Sequence, residues 1–193
     1  MDRDLAPVTA VDDPSATIIR LDDPVTETDH VRGDPHAPIL LVEYGEFECP
    51  DCGRAYHVIK NLLEELPGEL RFVFRHFARD DVHPFSERSA QAAEAAGPQG
   101  HFWEMHDFLF ERQHQLELAD LLRHASDLGL DVVEFQRDLL ERVHLPKVRG
   151  QLRTAQEMGV TRTPTLFIDG VEYTGPVNRD PLLRALRTHA TTG

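Results

Sequence analysis

The sequence of 193 residues predicts an α/β fold with the order strand, helix, strand, then a block of helices, then strand, strand, helix. Three observations support this order. Residues 39–42 form a continuous apolar run, typical of a strand buried on both faces of a sheet. Residues 84–158 read as helical throughout. Asp169 and Gly170 then separate two short β-prone runs, which is the signature of a two-residue hairpin turn.

The first strand leads into a predicted helix that begins at Pro50 and ends near Leu66. Its apolar residues recur at three- and four-residue spacings, and Pro67-Gly68 ends the pattern. Residues 70–77 alternate apolar and charged side chains, which predicts a second strand. Strand, helix and strand in this order form a parallel pair joined by a right-handed crossover.

The block after the second strand is expected to contain five helices. Gly150 lies inside the last of them and costs about 1 kcal/mol relative to alanine, so the sequence leaves the continuity of that helix open. The predicted helices cover residues 86–96, 102–113, 118–127 and 132–141, and the last begins near Leu145.

The C-terminal part is expected to be a hairpin followed by one helix. The strands of the hairpin are residues 165–168 and 171–174. The closing helix covers residues 181–189, with Asn178 or Asp180 available as its N-cap.

The composition and net charge of the chain limit the classes of molecule that it can bind. The formal charge of −14 argues against nucleic acid or an anionic membrane surface, because both need clustered Lys and Arg. No stretch approaches the roughly 18 apolar residues that a membrane span needs. The N-terminus has no basic start followed by an apolar run, so we see no secretory signal and expect a cytoplasmic location.

The only two cysteines, Cys49 and Cys52, lie three positions apart. A structural disulfide closing so short a loop would constrain the unfolded chain very little, which leaves catalysis or metal binding. The pair follows a buried strand and opens a helix, where free backbone N–H groups and the helix dipole favour an anion. Pro50 suits the first helical position. We therefore expect Cys49 to be the attacking thiolate and Cys52, one turn further in, to resolve the mixed disulfide.

The predicted order of strands and helices brings two other features close to the cysteine pair. Thr163-Pro164 comes just before the hairpin, and the missing N–H of Pro164 leaves an open edge where an extended substrate segment can pair. Glu43 lies six residues before Cys49, on the strand beneath it. A carboxylate buried there would be placed to move a proton to or from Cys52 through water.

These segments resemble the DsbA-like branch of the thioredoxin superfamily, in particular the thioredoxin-like domains found alone or fused to bacterial sodium/proton antiporters. The resemblance covers roughly residue 29 to the C-terminus. The residues that carry it are 42–52, 74–77, 83–84, 102–106 and 159–170.

The resemblance implies both a fold and a chemistry. The fold is a thioredoxin fold with a helical domain inserted between its second and third core strands. The chemistry is dithiol–disulfide exchange with protein thiols or small thiols such as glutathione, without a cofactor or metal. The attacking cysteine, the resolving cysteine, the cis-proline and the upstream acid of the family correspond to Cys49, Cys52, Pro164 and Glu43.

With the family in view, the chain is expected to divide into three parts. The first is an acidic N-terminal lead-in, in which Ile18, Ile19 and Leu21 are the candidates for one added strand. The parts are residues 1–37 for the lead-in, 38–83 with 159–193 for the thioredoxin-like domain, and 84–158 for the inserted helical domain.

The chain departs from the strongly oxidising relatives between the cysteines, where Asp51 takes the place of His. Glu46 and Glu48 add negative charge near Cys49, and like charge disfavours a thiolate. We expect these three acids to be solvated, to act by electrostatic tuning, and to make the centre less oxidising than the His-containing type. Thr163, with a hydroxyl able to reach Cys49, fits the same moderate potential.

Several alternatives stay open at this point. A structural zinc site would need two more ligands, for which His57, His76 and His83 are the nearest candidates, although none has a paired zinc spacing. Arg75 and His76 end the second strand near the expected site and read as packing and hydrogen-bonding residues.

Two other functions share the fold. A non-catalytic redox-sensing or regulatory module would use the same dithiol as a switch. A kappa-type glutathione transferase or isomerase shares the insertion topology, but typically works with Ser where this chain has Cys49.

Overall fold

The computed structural model describes residues 18–190, and its centre is one five-stranded sheet. The spatial order is β1-β3-β2-β4-β5, with β2 and β3 parallel and the other neighbours antiparallel. The strands are β1 His30–Gly33, β2 Ile39–Gly45, β3 Leu70–His76, β4 Thr165–Ile168 and β5 Val171–Tyr173.

Helices cover both faces of the sheet and confirm the predicted order of elements. The first is the crossover between β2 and β3, five lie between β3 and β4 in the chain, and the last follows β5. They are α1 Pro50–Glu65, α2 Ser86–Ala96, α3 Phe102–Glu111, α4 Leu118–Asp127, α5 Val132–Leu140, α6 Leu145–Glu157 and α7 Arg179–Ala190. The α/β thioredoxin-type fold predicted from the sequence is therefore confirmed.

The apolar run of β2 is buried because its side chains alternate between two cores. Ile39 and Leu41 pack into the larger core with α1, α3 and α7. Val42 and Tyr44 pack into a second core on the opposite face, against α6 and the chain before β1. The active-site turn lies at the C-terminal end of β2, so the central strand supports it from below.

The predicted added strand is present as one isolated bridge, from Arg20 to Val171, flanked by hydrogen bonds from the Leu21 N–H to the Gly170 carbonyl and from the Glu172 N–H to the Ile19 carbonyl. Ile19 and Leu21 pack against the second core, whereas Ile18 is exposed. The fifth strand of the sheet is β1, which the sequence pattern did not predict and which pairs with β3. The sequence HVRG has no apolar run or clear alternation, so its pairing depends on β3, which is distant in the chain.

Helix limits differ from the predicted ones by one or two residues at several ends. The helix α6 is continuous through Gly150, where an added Cβ would meet no atom within 4 Å. The helix α7 begins at Arg179, two residues earlier than predicted, and its Leu182 N–H donates to the carbonyl of Asn178. No helix among residues 18–190 combines the length and the apolar character needed to cross a membrane.

Candidate active site

Cys49 lies where the turn after β2 becomes helix α1. It is the N-cap residue, with extended backbone angles (φ −73°, ψ 121°), and Pro50 follows at the start of the helix. Its side chain is 6% exposed, and its thiol lies 3.8 Å from the carbonyl oxygen of Thr163, to which it donates. The thiols of Cys49 and Cys52 are both free in the structure. Cys49 is thus at the surface end of a buried turn, accessible only along one side.

The surroundings of Cys49 favour its thiolate. A hydrogen bond from the Cys52 thiol is the largest influence, and it lowers the pKa of Cys49 to about 6 together with bonds from the Thr163 side chain and the Cys52 backbone. Burial and the negative charge of Glu46 act in the opposite direction. Hydrogen bonds to the charged form outweigh desolvation here, so a large fraction of Cys49 is ionised at neutral pH.

The surroundings of Cys52, in contrast, favour its neutral thiol. It lies in the first turn of α1 with no exposed surface. Burial raises its pKa well above the usual thiol value, and the hydrogen bond to Cys49 and the charges of Glu43 and Cys49 raise it further. The two sulfurs therefore differ strongly in their affinity for a proton, and only Cys49 is poised to react with a molecule in solution.

Glu43 lies under the pair on the central strand, in register with Phe74 of β3 and Leu166 of β4. It is 1% exposed, and its Oε1 has no hydrogen-bond partner. Burial raises the pKa of Glu43 to about 8, with the charge of Cys49 as a second cause. Glu43 is therefore a buried group that holds a proton near neutral pH, rather than a partly exposed charge at a strand end.

The loop before β4 faces the cysteines from the other side. The peptide bond between Thr163 and Pro164 is cis. Next to it lies a groove of about 460 Å³ that runs from the start of α1 to β5. An extended chain placed there would lie within reach of Cys49. Side chains that line the groove include Asp51, Arg54, Arg162, Pro164, Tyr173 and Val177.

The expectation that the three nearby acids are solvated was wrong for Glu46. Its side chain is 4% exposed and lies in a hydrogen-bonded cluster beside Cys49, described below. Glu48 is partly buried and accepts a bond from the Phe85 N–H at 2.8 Å. Asp51 is exposed, as expected, and pairs with Arg54 one turn later. The burial of Glu46 depends on partners distant in sequence, which no local pattern around Cys49 reveals.

Sequence reasoning also missed Gln113. Its side-chain amide donates to the carbonyl oxygens of Phe47 and Cys49, each at 2.8 Å. The predicted helix α3 included this residue, but the helix ends at Glu111, and the following turn directs Gln113 onto the active-site loop. An added side chain at Gly53 would collide with Gln113. Gln113 therefore fixes the backbone that carries Cys49.

The two residues that end β3 point to different faces. Arg75 lies away from the cysteines, in the second core, and binds Asp29 and Tyr44. His76 lies on the same face as the site and contacts Glu94 through Nε2 at 3.0 Å. Within residues 18–190, no three His, Cys, Asp or Glu side chains form a group that could hold a metal ion.

Comparison with known sequences gives one family and one class of relatives. A family model described as Thioredoxin matches residues 25–188. The Na(+)/H(+) antiporter NhaA 1 of Mycobacterium sp. (strain KMS) is 43% identical over 174 residues, which are 88% of this chain and 28% of that protein. NhaA 3 of Salinispora tropica is 43% identical over 160 residues, 83% of this chain and 24% of its own length. The chain spans about a quarter of the length of these curated relatives.

Solved structures with the same fold include thiol–disulfide enzymes. A thioredoxin-like oxidoreductase from Silicibacter pomeroyi DSS-3 has a TM-score of 0.75 and 26% identity, covering 87% of this chain and 95% of its own. Alpha-DsbA1 from Wolbachia pipientis has a TM-score of 0.77 and 21% identity, covering 86% and 93%. Oxidised BdbD from Bacillus subtilis has the same TM-score and 20% identity, covering 84% and 93%. The chain therefore belongs to the thioredoxin family, and it shares its fold with the solved DsbA1 structure.

Proposed function

We propose that this chain exchanges a Cys49–Cys52 dithiol or disulfide with thiols or disulfides of other molecules. Thiol–disulfide oxidoreductase activity is the chemistry of its structural neighbours at the level of the family. The observation that carries the proposal is the contrast between the two sulfurs. Cys49 lies at a helix start with its pKa lowered to about 6, and Cys52 is fully buried with its pKa raised. This is the division of work between an attacking and a resolving thiol.

The reductive direction starts from the dithiol. The Cys49 thiolate attacks one sulfur of a substrate disulfide, a mixed disulfide forms, and the other substrate sulfur leaves as a thiolate. Cys52 then gives up its proton and attacks Cys49, which releases the second substrate thiolate. The substrate gains two electrons, its two thiolates take up the proton released by Cys52 and a second proton from water, and the Cys49–Cys52 pair is oxidised to a disulfide. The same steps in reverse oxidise a substrate dithiol.

Glu43 is the group placed to take the proton from Cys52. The charge of the Cys49 thiolate is one cause of the raised pKa of Glu43, and that charge disappears once Cys49 enters a mixed disulfide. Glu43 then releases its own proton to water more readily, and the resulting carboxylate takes the proton of Cys52 at the step where Cys52 must be deprotonated. In the reverse direction the protonated Glu43 returns a proton to the Cys52 sulfur as it leaves.

The groove beside Pro164 is where we place the substrate. Its volume of about 460 Å³ suits an extended peptide or a small thiol such as glutathione, and it lies between the start of α1 and the cis-proline loop. The centre should be less oxidising than one with His at position 51. Equilibration with glutathione should give a potential below the roughly −120 mV of a strong oxidant.

Two serine variants test the assignment of the cysteines. Cys49→Ser should abolish turnover in insulin reduction and in oxidation of a model dithiol peptide, because the attacking sulfur is gone. Cys52→Ser should retain attack but accumulate mixed disulfides, which mass spectrometry detects as added substrate mass on Cys49. Turnover by the Cys49→Ser protein would contradict the proposal.

The antiporter relatives favour one second candidate, a redox-sensing or regulatory module. The match covers 28% or less of those proteins, so the matched segment there accompanies a much larger part with a different named function. A sensor would be oxidised once and would then bind or release a partner. Many turnovers per molecule in the insulin assay favour the enzyme, whereas a single stoichiometric oxidation favours the sensor.

A further inference from the structure

Glu46 is a buried carboxylate that the exchange chemistry above does not use. It lies in the loop between β2 and α1, three residues before Cys49, and its side chain is 4% exposed. Burying a carboxylate is costly unless hydrogen bonds compensate for its lost water. The contacts of Glu46 therefore indicate what keeps it there.

Three side chains from outside the loop contact its two oxygens. The Ser86 hydroxyl donates to Oε2 at 2.5 Å, and Nδ1 of His83 lies 2.7 Å from Oε1. The Thr163 hydroxyl lies 3.4 Å from the same Oε1. These residues come from the loop before α2, from the first residue of α2, and from the loop before β4. Glu46 thus joins the active-site loop to the helical block and to the cis-proline loop.

Thr163 connects this cluster to the reactive sulfur. Its carbonyl oxygen accepts the hydrogen bond from the Cys49 thiol, while its hydroxyl lies next to Glu46. The same residue precedes Pro164, which forms one wall of the groove. A carboxylate that holds Thr163 therefore also fixes the acceptor that faces Cys49.

The charge of Glu46 acts on Cys49 as well. It opposes the lowering of the Cys49 pKa. The other titratable groups facing this region are Cys52, Glu43, His83 and Arg79. The negative charge of Glu46 also contributes to raising the pKa of Arg79. Glu48, in the same loop, instead accepts from the Phe85 N–H.

We propose that Glu46 is a positioning residue for Cys49: it holds Thr163 against the thiol and, by its negative charge, restrains ionisation of the sulfur. The proposal rests on the proposed function, and it explains how this centre is kept from becoming a strong oxidant. A more stable thiolate stabilises the dithiol over the disulfide and makes the centre more oxidising.

The test compares Glu46→Gln with Glu48→Gln. Glutamine at position 46 keeps the shape and can still bond Ser86 and Thr163, but it removes the charge. We expect the pKa of Cys49, measured by thiolate absorbance near 240 nm, to fall by about one unit. The corresponding tenfold change in the equilibrium with glutathione raises the potential by about 30 mV. Glu48→Gln removes the same charge from the same loop and should leave both values close to wild type.

Two results would overturn the proposal. One is an unchanged Cys49 pKa in Glu46→Gln; the other is an equal shift in both variants, which would indicate only a general effect of net charge. The absorbance titration needs no substrate. If the wild-type protein shows no turnover, the proposed function is contradicted, but the absorbance titration still tests the role of Glu46.

A second measurement covers the case in which Glu46→Gln fails to fold. Coupling between two charges is reciprocal, so the carboxyl carbon of Glu46 in the wild-type protein should report the ionisation of Cys49. In a ¹³C NMR titration of the reduced protein we expect a step in the Glu46 signal near pH 6 that disappears in the Cys49→Ser protein, which keeps the contact between Glu46 and His83, and a much smaller step for Glu48. A Glu46 signal without that step would contradict the proposal.

Discussion

At the scale of single residues, the site depends on how burial and hydrogen bonds divide protons between three groups. Cys49 is driven toward its charged form, whereas Cys52 and Glu43 are driven toward their neutral forms by desolvation. The positions of Cys49, Cys52, Glu43 and Pro164 in the fold follow from the predicted order of strand, helix start and hairpin, and their roles in catalysis stay predictions. The roles of Glu46 and Gln113 do not follow from this order, because they come from contacts between residues far apart in the chain.

Glu43→Gln should make the reduced protein more stable at high pH. The pKa of Glu43 is raised from 4.5 to about 8 in the folded state, so its contribution is complete below about pH 4.5 and is lost as pH rises through 8. Removing the ionisable group should raise the free energy of unfolding by about 4 kcal/mol at pH 8 and by little at pH 4. Urea unfolding with a thiol reductant at both pH values measures this.

The turnover of Glu43→Gln provides a second measurement on the same variant. Glutamine cannot take a proton from Cys52, so turnover should fall while the Cys49 alkylation rate at pH 7 is retained or increased. A variant that is no more stable than wild type at pH 8 would show that Glu43 is not held in its neutral form.

At the scale of elements, local pattern sufficed wherever a helix or strand has its own periodicity. The limits of α2 and α4 coincide with the predicted ones, and α1 begins at Pro50 as expected. The strand β1 was missed because His30–Gly33 lacks such a pattern and owes its conformation to β3. The continuity of α6 was left open because propensity penalises Gly150, although packing elsewhere on the helix, at Val148 and Ala155, maintains it.

Gly150→Ala should stabilise the protein by about 0.5–1 kcal/mol, since the position is helical and an added Cβ meets no atom within 4 Å. The matched control is Gly159→Ala, just after the helix, where φ is +95° and an L side chain is strained. Thermal unfolding should move up for the first variant and down for the second. A loss of stability in Gly150→Ala would contradict the description of α6 as one regular helix.

At the scale of the whole molecule, the chain before β1 covers the face of the sheet that carries the second core. Arg75, buried in the second core, bonds both oxygens of Asp29, each at 2.9 Å, and also the carbonyls of Asp23 and Pro24. The phenol of Tyr44 accepts a further bond from it at 3.0 Å. Arg75 was predicted as a packing and hydrogen-bonding residue, but its partners in the chain before β1 were not, because they lie far from it in the sequence.

Arg75→Met should destabilise the protein by about 3–5 kcal/mol, because it leaves the buried carboxylate of Asp29 without its paired cation, with the Thr26 N–H still donating to it. Methionine has a long side chain like that of arginine, but it has neither a positive charge nor a donor that could bond the Asp29 carboxylate. Arg79→Met serves as the control, since Arg79 lies just after β3 and pairs with the exposed Asp81. Urea unfolding should distinguish the two, and equal stability of Arg75→Met and wild type would show that the anchor does not stabilise the fold.

The measurement that most directly tests the central claim is the pH dependence of thiol alkylation in the reduced protein. Iodoacetamide labelling followed by peptide mass spectrometry should give a Cys49 rate with its midpoint near pH 6, because only the thiolate reacts. Cys52 should stay unlabelled across the same range. A Cys49 midpoint near pH 9, or equal labelling of both sulfurs, would contradict the assignment of one attacking and one resolving thiol.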